Sequence, residues 1–460
     1  MNKLGVIRFV AGLANGLLLP ALLLVSSSAH AGVVGTGTAL SCDQTALQAQ
    51  LSAGGTVTFD CGGTATIAMT GPASVPANVT VDVDGGNQIT LDGGGAHQIM
   101  SVLASSGPLQ QAHATFRNIT FANGYITGGL QAGGAIQNLG DLTVINTVFS
   151  GNGANGSGGA IFSEECFSCP AAHVTITNSS FTNNHANGYG GAVDIEGDFV
   201  TITGSTFSNN TASSAGAVDL YTNSTFSVTA VLTGNTFAGN TASQGGAIGA
   251  YLNNPGSSAS LVSNTFYGNT GTTAGGALYV NDGNITLTND TIAGNTSPAG
   301  AGIYVSSSYT AAVTIQNTLL SSNTGGGGNC SDSGSLISDG ANNLQFGDNS
   351  CATFTVANPL LSALANNGGP TQTMALQAGS PAIDGGNNAT CPATDQRGNA
   401  RADGDNNGSV VCDIGAYEVA AIALVGSTAV PALSDWSLVI LGLLLAGFGA
   451  SRHRKASSHR

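Results

Sequence analysis

Seven times between residues 149 and 320 the chain repeats one four-residue phrase: an apolar residue, two mostly small residues, then asparagine. The copies are Phe149-Ser-Gly-Asn152, Phe181-Thr-Asn-Asn184, Phe207-Ser-Asn-Asn210, Phe237-Ala-Gly-Asn240, Phe266-Tyr-Gly-Asn269, Ile292-Ala-Gly-Asn295 and Leu320-Ser-Ser-Asn323, with an imperfect forerunner at Phe121-Ala-Asn-Gly124. Most are followed by a glycine doublet that opens a short apolar run, as in Gly158-Gly-Ala-Ile161, Gly190-Gly-Ala-Val193, Gly245-Gly-Ala-Ile248 and Gly275-Gly-Ala-Leu278. From Phe121 to Leu320 there are 199 residues in seven steps, a period of about 28. A fixed period in the range of roughly 20–50 residues marks a repeat architecture, in which each unit buries its apolar face against its neighbours.

Within a unit the pattern is that of strands. Val174 and Ile176 alternate with Thr175 and Thr177, and Val193 and Ile195 alternate with Asp194 and Glu196. A two-residue alternation rich in β-branched side chains suits a half-buried strand. The middle of the chain has no long helical periodicity, so the units have no helix to carry a crossover. The expected fold is therefore all-β, a parallel β-helix over roughly residues 40–350. Each strand then pairs with its equivalent one coil later at about 4.8 Å. The Phe of each phrase would form an internal ring ladder, and the Asn three residues on an amide ladder at a turn.

Stacking the coils in register predicts a stripe beside the glycine corner, reading Gln137, Phe162, Asp194, Asp219, Gly249, Tyr279, Tyr304. Two residues further along come Glu196, Tyr221, Tyr251 and Asn281. Acids and tyrosines on one face suit a sugar-binding groove. Outward strand positions must also be polar or aromatic in any solenoid. Asp194 and Asp219 on adjacent coils would stand about 5 Å apart, which is a glycosidase carboxylate separation. The ligand-binding candidates are Asp194, Glu196, Asp219, Tyr221, Tyr251, Tyr279 and Tyr304. Asp194 and Asp219 are the catalytic alternative to a non-catalytic reading.

Charge narrows the partners. Between residues 32 and 435 lie all 24 acidic residues, against Arg117, Arg397 and Arg401 and no lysine, a net charge of about −21. A nucleic-acid binder needs cations to displace phosphate counterions, which excludes that class. A polysaccharide lyase would find no lysine and one arginine, Arg117, in the solenoid to neutralise a uronate. Asp403-Gly-Asp405-Asn-Asn407-Gly408 has the opening of a calcium loop, but Ile414 stands at its twelfth position, where an EF-hand needs glutamate. Asp413 or Glu418 could substitute only if the loop folds differently. The expected cation ligands are Asp403, Asp405, Asn407 and Asp413, with a plain polar loop as the alternative.

Eight cysteines fall into local pairs: Cys42 with Cys61, Cys166 with Cys169, Cys330 with Cys351, and Cys391 with Cys412. Sequential pairing is one of about 105 connectivities and is the expected one. The close spacing of Cys166 and Cys169 suits a staple across a bulge in one coil. An exported chain favours oxidation. Export is read from the first 31 residues: Lys3 and Arg8, the apolar stretch Leu17 to Val25, and Ala29-His30-Ala31 form a secretory signal cut between Ala31 and Gly32 by signal peptidase.

Several segments resemble known families. Val79-Thr-Val-Asp-Val83 and Thr115-Phe-Arg-Asn-Ile-Thr-Phe121 are similar to the opening coils of pectin-lyase-like right-handed β-helices, which implies the handedness. The Phe-x-x-Asn and Gly-Gly-Ala-Ile phrases resemble the repeats of polymorphic outer-membrane adhesins over residues 119–323. Those adhesins end in a membrane barrel that this chain lacks the residues to build. Gly379-Ser-Pro-Ala-Ile-Asp384, Asp395-Gln-Arg-Gly398 and Cys412-Asp-Ile-Gly-Ala-Tyr-Glu418 resemble the choice-of-anchor Q domain, implying an irregular cap and surface display. Val430-Pro431-Ala-Leu433-Ser-Asp-Trp436, an apolar span to Ala450 and a basic end resemble the IPTL-CTERM sorting signals of Gram-negative bacteria. That implies an exosortase-like sorting enzyme as partner, a transient inner-membrane anchor and release to the cell surface. A plain C-terminal anchor is the alternative. The expected organisation is a signal peptide (1–31), a β-helix (32–352), a cap (353–418), a linker with the sorting motif (419–435) and a membrane segment with a basic tail (436–460). The expected role is an adhesin-like or structural exoprotein, with a glycan or host-surface ligand; a polysaccharide-binding or polysaccharide-degrading enzyme is the runner-up.

Overall fold

In the computed structural model the chain is described over residues 32–420, apart from 106–110, 129–132, 165–171, 198, 223–226, 307–310, 333, 335 and 352, and also at position 443. The signal segment before Gly32 and the sorting residues Pro431, Leu433 and Trp436 lie outside the described residues. No helix among the described residues is long and apolar enough to cross a membrane.

The 28-residue period is one turn of a right-handed parallel β-solenoid of about 10 turns. One coil shows the logic. His173–Thr177 runs straight, the chain bends at Asn178, Ser180–Thr182 follows, and it bends again at Asn183. After a corner it runs straight once more as Val193–Glu196. These three strands pair in parallel with Phe199–Thr203, Thr206–Ser208 and Val218–Thr222 of the next coil. Both bends need a left-handed residue, with φ 48° at Asn178 and 56° at Asn183. Glycine and asparagine reach this region most easily. The equivalent bends carry Asn146, Gly204, Gly234, Asn289 and Asn317 at the first corner and Gly151, Asn209, Gly239, Gly268 and Gly294 at the second. The third letter of the repeated phrase is thus a backbone requirement.

The first letter is the core. Phe121, Phe149, Phe181, Phe207, Phe237 and Phe266 stack with ring centroids 5.0, 4.6, 4.8, 5.0 and 4.8 Å apart and nearly parallel planes. Ile292 and Leu320 continue the column in register. The fourth letter closes the turn. In each coil the Asn Oδ1 accepts both the backbone N–H and the side-chain amide of the preceding Asn, as Asn210 does from Asn184 at 3.0 and 2.9 Å. Its own amide donates to Phe181 O at 3.0 Å and to Asn240 Oδ1 at 2.9 Å. The column runs unbroken from Asn152 to Asn323.

A second ladder stands at the first bend and was not foreseen. Thr147, Ser179, Ser205, Asn235, Asn264, Asp290, Thr318 and Asn343 each use a side-chain oxygen to accept the backbone N–H of the coil before, from Ser179 onward. The second glycine of each doublet answers a different need. A Cβ on Gly191 would stand 2.2 Å from Gly216 O, and one on Gly216 2.2 Å from Gly246 O, because the corners of successive coils touch through backbone alone.

One helix was also missed. Gln44–Ala53 is capped by Asp43, which accepts from Ala46 N at 2.8 Å, and it lays Leu47 and Leu51 over the open end of the first coil. The other end is closed by Cys330–Cys351 and Phe354, which join the core. Cys42–Cys61 and Cys391–Cys412 are bonded as expected. The fourth expected bridge, between Cys166 and Cys169, differs from these three: both Cys166 and Cys169 lie outside the described residues, in the stretch 165–171 that follows the strand Ile161–Glu164.

The irregular segment expected as a cap does more than close an end. From about residue 357 the chain turns back and lies along the first-bend side of the solenoid. Asn387 N donates to Asn317 Oδ1 at 2.8 Å, Ala416 N to Thr291 Oγ1 at 3.0 Å, and Thr371 Oγ1 to Gly234 O at 2.8 Å. Pro370 reaches Gly204. Gln396 is the rivet: its amide donates to Asn235 O and Thr236 Oγ1, and its oxygen accepts from Thr265 Oγ1 at 2.6 Å. Within this strap, Arg397 pairs with Asp395 and Arg401 with Glu418, each at 2.7 Å and largely buried.

Two substitutions test these ladders. Asn210→Ala strips partners from Asn184, Phe181 and Asn240 at once, and urea denaturation should show a loss of about 3 kcal/mol or more, since buried unsatisfied groups cost roughly 1–3 kcal/mol each. Asp290 takes an amide's place in the second ladder, and burial pushes its pKa up to about 7 against the bonds from Asn264 and Thr288. Its folded pKa exceeds the unfolded one of about 3.9, so its contribution is fully present below pH 4 and lost as pH rises through 7. Between pH 4 and pH 8 the parent should therefore lose about 2–4 kcal/mol relative to Asp290→Asn, which has no group there to titrate.

Candidate functional site

The stripe beside the glycine corner has the predicted register. Gln137, Phe162, Asp194, Asp219, Gly249, Tyr279 and Tyr304 are successive partners. Glu164, Glu196, Tyr221 and Tyr251 form the neighbouring row. Asn281 does not continue that row: a bulge after Ala250 brings Asp282 opposite Tyr251. The bulge arises where one long strand, Leu278–Thr288, runs from this face straight into the first face of the next coil.

The two aspartates are the main correction to an open-groove picture. Each is only 1 % exposed. Their position on the outward side is right, but the corner residues just ahead of each doublet roof them over. Those residues are Ser157, Tyr189, Ser214 and Gln244; the last three are bridged coil to coil, and Ser157 Oγ accepts from Tyr189 N at 3.3 Å. Tyr251 fastens part of this roof, its hydroxyl 2.6 Å from Ser214 Oγ and donating to Gln244 Oε1 at 3.3 Å.

All four carboxylate oxygens of Asp194 and Asp219 lack a hydrogen bond of acceptable geometry. Burial drives both carboxyls well above the usual carboxylate range. For Asp194 the charges of Glu196 and, less, Glu164 add to the rise, while the nearby Ser157 hydroxyl and Ile195 amide offset only part of it. For Asp219 the further causes are Asp194 and Glu196. Like charges on adjacent coils in a dry setting disfavour ionising both carboxyls together. Burial also raises Tyr221, Tyr251 and Tyr279.

Above this floor opens a cleft of about 590 Å³, lined by Asn155, Ser157, Asn187, Tyr189, Glu196, Asp219 and Tyr221 among others. Tyr189, 51 % exposed, meets Tyr251 edge-on at 6.3 Å. Tyr251, Tyr279 and Tyr304 carry the rings onward along the axis at 5.6 and 5.4 Å. The structure thus gathers Asp219, Glu196 and Tyr221 at the cleft, with Asp194 one coil before Asp219. Tyr279 and Tyr304 stand further along the same face. Tyr189, Glu164 and Ser157 were missed, although the position before each glycine doublet is readable from the repeat.

The cation candidates rearrange. Asp384, Asp403 and Asp405 bring carboxylate oxygens within 4.8 Å of one another. Asp413 is not among them: its oxygens accept from Asp384 N at 2.8 Å and Val419 N at 2.6 Å, and burial pushes its pKa to about 7. Asn407 donates its amide to Asp405 at 2.9 Å. A trio of oxygens from Asp384, Asp403 and Asp405 suits a hard cation such as calcium.

With this geometry in hand, comparison with protein families gives two matches. Residues 165–351 match the model of the right-handed β-helix region, and residues 428–455 match the IPTL-CTERM motif. The chain carries a sorting signal. It sits behind a β-helix. No curated protein and no solved structure matches. The sorting motif implies a protein secreted or held at the cell surface and handled by a sorting enzyme.

Relieving the buried acid pair gives a measurable outcome. Both carboxyls are raised, so the stability they contribute is present at low pH and drains away as pH rises. Asp219→Asn should raise Tm at pH 8 by about 2–4 °C per 1 kcal/mol recovered at most, and the gain should vanish near pH 4 in a pH series of thermal melts.

Proposed function

We propose that this chain is an exported, surface-displayed β-helix protein with an adhesin-like, non-catalytic role, which binds a glycan or another surface ligand along the tyrosine-lined cleft. The observation that carries the reading is the cleft itself: rings of Tyr189 and Tyr221 beside Glu196 and Asp219, on a solenoid that ends in a sorting motif. Tyrosine rings offer apolar faces to pyranose rings and hydroxyls to their edges. The rigid coils fix the spacing of these contacts. We assign the strap, residues 353–418, to the choice-of-anchor Q type, and place the protein at the surface of a Gram-negative cell after signal peptidase cleavage at Gly32. An exosortase-like enzyme then acts on the tail, which holds the protein only transiently at the inner membrane.

A second reading, hydrolysis of a polysaccharide, is favoured by one observation, the raised carboxyls of Asp194 and Asp219 on adjacent coils. Raised acids are what general acid catalysis uses. Against it, both groups lie under the roof of corner residues. The exported protein, screened on a glycan array and then assayed for product release on each hit, decides between the two. Binding without turnover, lost in Tyr221→Ala, is the expected result. Cleavage of any polymer that disappears in Asp194→Asn would replace this reading with the hydrolase.

A further inference from the structure

One face of the solenoid takes no part in the cleft. It is built from the strands that precede the first bend, which pair in unbroken register from Asp141–Ile145 to Ala311–Gln316. Their apolar side chains alternate into the core, as Val200 and Ile202 do, and the residues between them face out in three rows. The middle row runs from Thr143 to Thr314 and is threonine in every coil except at Val231 and Ser260. The row beside it, two residues on, carries Thr177, Thr203, Thr233 and Thr288, with Ile145 and Val262 in two of the other places. The array starts one coil after the Arg117–Asp82 pair and ends where Gln316 Nε2 donates to the buried Thr288 at 2.9 Å. The strap leaves it open: its bonds fall on the bend and the short strands beyond, at Gly234, Thr236, Thr265 and Thr291, while Thr201 and Thr314 are exposed.

Two observations set this array apart. Strand propensity favours threonine at outward positions. Yet the third row of the same strands reads Asp141, His173, Phe199, Thr229, Ser258 and Asn284, so propensity alone does not lay threonines in columns. Nor is any position of the two rows between Thr143 and Thr314 charged, in a region where 24 acids face three arginines. Where threonine is replaced, Val231, Val262 and Ile145 keep the branched Cβ and Ser260 keeps the hydroxyl. A β-branched side chain is stiff at χ1, so each threonine presents its methyl and hydroxyl in a fixed direction. Neighbours stand about 4.8 Å apart across coils and about 6.6 Å apart along a strand. Both repeats lie close to those of the oxygen rows on faces of hexagonal ice. Water caged over the methyls and bridged between the hydroxyls would hold positions near those of the crystal. The ladders at both bends keep the strands stacked without slippage, the condition for an untwisted sheet. A glycan would find neither rings nor carboxylates along these two rows.

We propose that this face binds ice, the paired threonine columns carrying an ordered water layer that merges with the crystal. The site is separate from the tyrosine-lined cleft, so the two readings stand or fall independently. A chain with a sorting motif is delivered where extracellular ice forms.

Slow freezing of the exported full-length protein tests this, once around a growing ice hemisphere and once in a sucrose film held just below its melting point. The protein should be enriched in the ice and should stop crystals coarsening in the film, whereas serum albumin at the same concentration should do neither. Thr201→Lys sets a long cation near the centre of the array. It should raise the concentration needed to stop coarsening at least about tenfold, with the melting temperature unchanged at so exposed a position. Thr201→Val should keep most of the activity, because Val231 already stands at that place in the next coil. Thr296→Lys, on a single column just past the second bend, should change nothing. Exclusion of the protein from ice would overturn the proposal. So would full activity in Thr201→Lys, or its loss in Thr296→Lys.

Discussion

Everything in this molecule depends on the coil-to-coil hydrogen bond. Each strand has its partner one turn away, so the same angular position must suit the same chemistry in every turn. The asparagine column makes the constraint visible. Asn152, Asn184, Asn210, Asn240, Asn269, Asn295 and Asn323 each satisfy a backbone amide and a carbonyl of the previous coil. A change at one position leaves partners orphaned in two other turns, whereas a helix or hairpin would confine the damage locally. The ring column beneath it, spaced at the strand repeat, fills the core that these bonds enclose.

How much of this could be read from the sequence follows from how narrowly each position is specified. The Phe and Asn columns were legible because one residue type serves each position well. The second ladder was hidden because hydroxyl, amide and carboxylate can all accept the same N–H, so Thr147, Ser179, Asn235 and Asp290 look unrelated in a string. The register of Asp194 and Asp219 was legible from the glycine doublets. Their burial was not, since it depends on how the corner segments pack against this face. Asn281 failed because a single bulged residue is invisible to a counted period. The strap's grip on the coils joins residues 43 to 161 positions apart, as between Asn342 and Gly385 or Gln396 and Asn235, and no local pattern announces such contacts. Asp413 drops out of the cation cluster for the same reason.

The site is an exception to an otherwise self-consistent fold. Elsewhere among the described residues buried carboxylates are paired, and even Asp290, in the second ladder, is held by three donors. At Asp194 and Asp219 the column logic brings like charge onto like charge. Natural sequences give up local consistency mainly where a surface is used. The cleft lies over this conflict, and that coincidence separates it from the recesses near Cys61 and Cys330, where no tyrosine lines the wall.

The strap has a mechanical meaning. Ala416 sits beside Thr291, not at the tip of the solenoid, and the strap's bonds are spread from Gly234 to Asn342. Traction on the tail would then load these contacts side by side, in shear, instead of peeling the terminal coil and unzipping the turns one after another. A repeat array is weakest when it is opened from an end. By taking hold along its flank, the chain lets the region that bears the sorting signal tug on many turns together.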